Sequence, residues 1–172
     1  MRVSKSVWGA LAAFASVAVP AQAQAQNQPQ VVTQFNDSTI SRLLLDVQTN
    51  FNIEAGPNGQ KVFRASAGQN INFTVSPRAC SAEAGCVGLM LIATFTRSDQ
   101  RGLAELDALL NQYNDLNTNA KIYRTPDGTV LLQSYINAVH GISYANAQAQ
   151  MLVFGQEIAK ARQALTEFSA GG

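Results

Sequence analysis

Apolar residues recur at intervals of three and four in three stretches of the chain and alternate with polar ones between them. Ile40, Leu43, Leu44, Val47 and Phe51 form the first stripe, after Asp37, Ser38 and Thr39 as N-cap candidates, and predict a helix with one buried face. Leu103, Leu106, Leu110 and Tyr113 predict a second helix behind the cap candidates Ser98 and Asp99, with Asn-rich residues 111–119 as its exit. A long third helix is expected to begin near Ser143. It carries Met151, Phe154, Ile158, Leu165 and Phe168 on one face and Gln148, Gln150, Gln156, Lys160 and Arg162 away from it.

The alternating stretches read as strands. Residues 53–55 and 61–65 flank Gly56-Pro57-Asn58-Gly59, where Pro fixes one dihedral and Asn-Gly tolerates positive φ, so a hairpin is expected. Ile71, Phe73 and Val75 alternate with Asn70, Asn72 and Thr74, a strand with one wet face. Val87, Leu89, Leu91 and Phe95 are opposed by Met90 and Ile92, which predicts a strand covered on both faces at the centre of the sheet. A second hairpin runs from Ile122 and Tyr123 through Pro126-Asp127-Gly128 to Val130 and on to Ile136. Consecutive strands joined by short turns imply an α+β fold: a mostly antiparallel sheet of five to six strands with helices packed on it.

The first residues read as an address. Arg2 and Lys5 precede an apolar run, residues 7–19, and then Pro20-Ala21-Gln22-Ala23, the order of a secretory signal with cleavage after Ala23. The run is shorter than the roughly 20 residues a spanning helix needs, so export is expected rather than an integral membrane protein. The organisation expected is a signal peptide at 1–23, a flexible Gln/Ala/Pro-rich leader at 24–36, one domain at 37–168 and a disordered tail at 169–172.

Charge narrows the chemistry. Without Arg2 and Lys5, ten basic residues face eleven acidic ones. That balance offers no excess positive charge for a nucleic-acid partner. His140 is the only imidazole, in Val139-His140-Gly141 near a helix start, and no Gly-x-Ser-x-Gly elbow accompanies it. Glu105 and Asp107 lie two apart on the second helix and diverge, so a shared acid–base site is not expected. Asn111, Asn114, Asn117 and Asn119 read as helix-end and turn residues, because their amides replace backbone hydrogen bonds. No phosphate-cradling loop, dinucleotide fingerprint, calcium loop or zinc ligand set is seen, so no catalytic residue, metal or cofactor is assigned.

Cys80 and Cys86, the two cysteines, are separated by Ser-Ala-Glu-Ala-Gly. In an oxidising compartment such a pair is most simply a local disulfide, with a redox pair, a metal site or two free thiols as alternatives. Thioredoxin-like activity favours two intervening residues; here there are five.

The segment from Cys80 through Phe95, the stretch Leu110-Asn-Gln-Tyr-Asn114 and the stretch from Ala120 to Leu132 together resemble the YbjN family of bacterial proteins. In that pattern an apolar strand precedes a helix ending in an "N-x-[WY]-N"-like element, then a hairpin turning at Asp-Gly; Asn111-Gln-Tyr113-Asn114 and Asp127-Gly128 fill those places. The resemblance spans about residues 38–168 and implies a fold similar to type III secretion chaperones. It also implies a sensory-transduction or stress-linked regulator without catalysis, which dimerises and binds extended segments of a protein or peptide partner at sheet edges or grooves. The exported context and paired cysteines resemble an envelope branch of the family. The expected function is therefore a non-catalytic periplasmic binding or regulatory module, not an enzyme. A thiol-disulfide redox factor and a small-molecule sensor are the alternatives.

Overall fold

The computed structural model describes residues 30–56, 59–68, 71–96 and 102–170. The expected signal, the leader as far as residue 29, Pro57, Asn58, Asn70, Ser98, Asp99 and the last two residues lie outside them. Val31–Val32 (β1) falls within the expected leader, yet it pairs antiparallel with Ile142–Ser143. Val32 and Phe35 are buried in the core, so the ordered domain starts earlier than residue 37. The apolar side chains supply the reason: burying a Val or Phe contributes about 1.5–3 kcal/mol, which offsets ordering a short segment.

Asn36, one residue before the expected cap, starts α1 (Asp37–Asp46). Its Oδ1 accepts from the Thr39 N–H at 2.9 Å and from the Ser38 and Thr39 hydroxyls. Asp37, Ser38 and Thr39 thus occupy the first turn, where Asp37 suits the positive end of the helix dipole. Ile40, Leu43 and Leu44 are fully buried, as their spacing predicts. Phe51, counted in the same stripe, instead lies past the helix on β2 (Asn50–Ala55), with its ring 5.9 Å from Phe63. Gln48, at φ 57°, turns the chain between the two elements.

Next come β3 (Lys61–Ala67), β4 (Ile71–Ser81), β5 (Gly85–Phe95), α2 (Leu103–Leu116), β6 (Lys121–Arg124), β7 (Val130–Asn137), β8 (Ile142–Ser143) and α3 (Tyr144–Ala170). Ser143 caps α3 by accepting from the Asn146 N–H at 3.2 Å. The main sheet has the order β2-β3-β4-β5-β7-β6, and every neighbouring pair is antiparallel. The α+β class and strand count expected from the sequence are found, and β5 lies inside the sheet between two long strands.

Register places Phe63, Val75, Leu91, Leu89 and Ile136 on one face, all fully buried with Ile40, Leu44, Leu106, Phe154 and Ile158 of the helices. The helices cover this face. The opposite face carries Arg64, Thr74, Met90, Ile92, Gln133 and Tyr135, which are half-buried or exposed. The expectation that β5 is covered on both sides is therefore corrected. Met90 and Ile92 are shielded by cross-strand neighbours such as Ser76, Tyr135 and Gln133, as befits an inner strand, without a second layer. Among the described residues no helix is long and apolar enough to cross a membrane.

Candidate functional site

The uncovered face contains a step. β4 pairs with β3 from Ile71 to Val75 and then runs on to Ser81, beyond the start of β3. Pro77 sits on this overhang, where its missing N–H removes no bond to β3. Gln60, just before β3, closes the step: its Nε2 donates to the Pro77 carbonyl and its Oε1 accepts from Arg78 Nη1 at 3.1 Å. A groove of about 600 Å³ opens there, lined by Glu54, Val62, Arg64, Thr74, Ser76 and Arg78 together with Ala55, Gly56 and Gln60. Strand alternation brings Thr74, Ser76 and Arg78 to the same face, and Arg64 lies directly opposite Thr74. Arg64 is ion-paired with Glu54, whereas Arg78 has no carboxylate partner among the described residues.

Beyond the step, β4 and β5 form a hairpin closed by the disulfide between Cys80 and Cys86, which are direct cross-strand partners. Gly85, at φ 66°, takes the left-handed conformation that ends the turn, and Ser81 Oγ accepts from the Ala84 N–H at 2.9 Å. The Phe35 N–H donates to the Cys86 carbonyl at 2.7 Å, so the segment after β1 is stitched to this hairpin. Gln60 Nε2 also lies 4.0 Å from Cys80 Sγ, which places the disulfide beside the groove.

The other residues singled out in the sequence are dispersed. His140 is exposed in the turn between β7 and β8, at φ 66°, and makes no hydrogen bond among the described residues. Glu105 and Asp107 do diverge. Asp107 accepts a fork of two bonds from Arg124, at 3.0 and 2.9 Å, while Glu105 stays exposed in the first turn of α2. Hydrogen bonding from Arg124 holds the Asp107 carboxyl below the usual aspartate range. Two of the four asparagines have the backbone roles expected of them. Asn117 Nδ2 donates to the Tyr113 carbonyl at the end of α2, and Asn114 bonds both the N–H and the carbonyl of Ile122, at 2.9 and 2.8 Å.

One polar cluster escaped the sequence reading. Glu157, on the face of α3 that carries the core residues, is only 1% exposed. Its Oε2 accepts from the Tyr113 hydroxyl at 2.7 Å and its Oε1 from Lys160 at 2.9 Å. Burial, then the hydrogen bond to Glu157, pushes the Tyr113 hydroxyl far above its ordinary pKa. The signal available was the position of Glu157 between Phe154 and Ile158, inside the apolar stripe.

The two edges of the sheet differ. β6 is four residues long, and Asn114 occupies the backbone groups of Ile122. β2 is six residues long, five of them exposed, including Ile53, and among the described residues only β3 pairs with it.

Three comparisons bear on this arrangement. The chain is similar in structure to YbjN of E. coli, described as "a putative transcription regulator", with a TM-score of 0.62 and 13% identity over 81% of this chain and 95% of that one. This likeness extends to the fold. A comparison with curated protein sequences finds no match. The family YbjN, described as "Putative bacterial sensory transduction regulator", matches residues 30–167, a span that takes in β1, the sheet, the disulfide hairpin and nearly all of α3. The chain belongs to the YbjN family.

Proposed function

We propose that this protein is a non-catalytic regulatory module that works in the periplasm and holds an extended polypeptide along β2. The observation that carries the reading is the contrast between the two sheet edges. A long, exposed strand edge offers unpaired backbone groups that an added strand can bond, while alternate side chains supply selectivity. β6 is short and occupied by Asn114; β2 is neither. The family description as a regulator is in keeping with binding rather than turnover. Export rests on the basic, apolar and small-residue order of residues 1–23, and a disulfide between Cys80 and Cys86 suits an oxidising compartment.

Two measurements test the proposal. Cell fractionation with N-terminal sequencing is expected to find a periplasmic protein beginning after Ala23; an unprocessed cytosolic protein overturns the location. A photo-crosslinker placed at Asn52 is expected to capture a polypeptide that is lost in Ile53→Lys, because a charge on an edge strand blocks pairing. Equal capture by Ile53→Lys, or capture only from a crosslinker on β6, overturns the β2 assignment. A homodimer through β2 would appear as self-crosslinking and a doubled mass in light scattering, both abolished by the same substitution.

A further inference from the structure

We propose that the groove at the step between β3 and β4 is a binding site for an oxyanion, a carboxylate or phosphate group, with Arg78, Arg64 and Ser76 as its ligands. This site borders β2 through Glu54 and Ala55, but its ligands come from β3 and β4 and it does not rest on the polypeptide reading. Ser76 is 4% exposed, lines the groove, and its hydroxyl has no hydrogen-bond partner among the described residues. Buried hydroxyls are ordinarily paired, so one left open toward a cavity marks the place of a missing acceptor or donor. Arg78 follows two residues later on the same face of β4, its Nη1 held by Gln60 and by the Pro77 carbonyl, at 3.1 Å each, and no carboxylate among the described residues neutralises it. A guanidinium fixed by neutral acceptors is oriented yet retains its charge and its remaining donors for an incoming anion.

Arg64 completes the cradle from β3, directly across from Thr74. Glu54, the one carboxylate lining the groove, is ion-paired to it. An anion entering the groove therefore competes with Glu54 for Arg64 while meeting Arg78 and Ser76 without competition. The volume, about 600 Å³, suits a small organic acid or phosphate ester.

Isothermal titration calorimetry of the oxidised mature protein with citrate and with inorganic phosphate tests the site, and a short Glu-rich peptide tests whether the anion can be carried on a polypeptide. Saturable binding that weakens with added salt is expected for at least one probe. Arg78→Gln is expected to lower that affinity about tenfold or more. Glu54→Gln is expected to raise it, because Arg64 is released. Ser76→Ala is expected to weaken binding while leaving the fold equally or more stable, since it removes an unpaired buried hydroxyl. Preference for the peptide over the free anions assigns the carboxylate to a polypeptide; the reverse assigns it to a small molecule. Absence of saturable binding by all three probes, or binding unchanged in Arg78→Gln, overturns the proposal. Thermal unfolding of each variant separates lost binding from lost folding.

Discussion

Replacing Tyr113 with Phe removes one oxygen from the interior and keeps the ring that packs between α2 and α3. The hydroxyl donates to Glu157 Oε2 at 2.7 Å and lies 3.0 Å from the Glu157 carbonyl. In Tyr113→Phe the carboxylate keeps Lys160 on its other oxygen but loses the donor on this one, and at 1% exposure water reaches it poorly. A hydrogen bond to a charged group contributes about 1.5–3 kcal/mol, and a stranded buried acceptor costs a comparable amount. The expected loss is therefore about 2 kcal/mol, read by urea denaturation as a lower midpoint with an unchanged slope. In a double-mutant cycle, Tyr113→Phe with Glu157→Met should recover part of that loss, because no buried polar group is then stranded and Lys160, left without Glu157, is exposed to water. The pair also has an alkaline signature. Burial raises the folded-state pKa of Tyr113 above the ordinary value near 10. The stability this contributes is fully present below pH 10 and declines as pH rises further, where the unfolded tyrosine ionises and the folded one retains its proton. Tyr144, raised to about 12 by burial and by its bond to Asp46, adds a second decline between pH 10 and 12, so the variant should show a shallower slope rather than none. A Tyr113→Phe protein within about 0.5 kcal/mol of the parent, or strict additivity in the cycle, would refute the reasoning.

Asn114→Ala is expected to lose about 1–3 kcal/mol and to speed hydrogen exchange at the Ile122 amide, because both backbone groups of Ile122 lose their partner; unchanged exchange would show that another group covers them. Arg124→Gln is expected to raise the Asp107 pKa in an NMR titration, since Arg124 holds it down; the parent contribution persists above the unfolded aspartate pKa and fades as pH falls through the folded one. Cys80→Ser with Cys86→Ser is expected to cost about 2.4 kcal/mol, from a loop of seven residues in the chain-entropy account. Mass spectrometry after alkylation should find the parent cysteines blocked, and ready thiol exchange would instead favour a redox role.

Periodicity in the sequence was sufficient wherever an element buries one face. Ile40, Leu43 and Leu44 were legible as helix because a stripe at three and four has one solution, and the hairpin at Asp127-Gly128 was legible because Gly128 takes φ 90°. β1 and β8 were not legible, since two residues cannot display a period and their pairing joins distant parts of the chain. The double cover assigned to β5 failed for a related reason: an apolar residue such as Met90 reports neighbours, and lateral neighbours in a sheet satisfy it as a helix would. The disulfide pairing followed from having two cysteines near each other. The groove did not, because it arises from the offset between the start of β3 and the overhang of β4, and register is a property of pairing rather than of either strand.

The Asn-x-Tyr-Asn and Asp-Gly elements and the residues that form the groove lie in different parts of the molecule. Tyr113 locks α2 to α3, Asn114 locks α2 to β6, and Asp127 closes the β6–β7 turn by accepting from Thr129 N–H at 3.2 Å. The Asn-x-Tyr-Asn and Asp-Gly elements thus join the last helices and strands. The other half, β2 to β4 with the disulfide hairpin, contains the exposed edge of β2 and, among the described residues, the buried Ser76 hydroxyl without a hydrogen-bond partner. Gln60 connects its parts, bonding Arg78 and Pro77 on one side and lying against Cys80 on the other. A covalent clasp at the tip of β4 holds the overhang that carries Arg78, so the disulfide and the proposed anion site meet at that point.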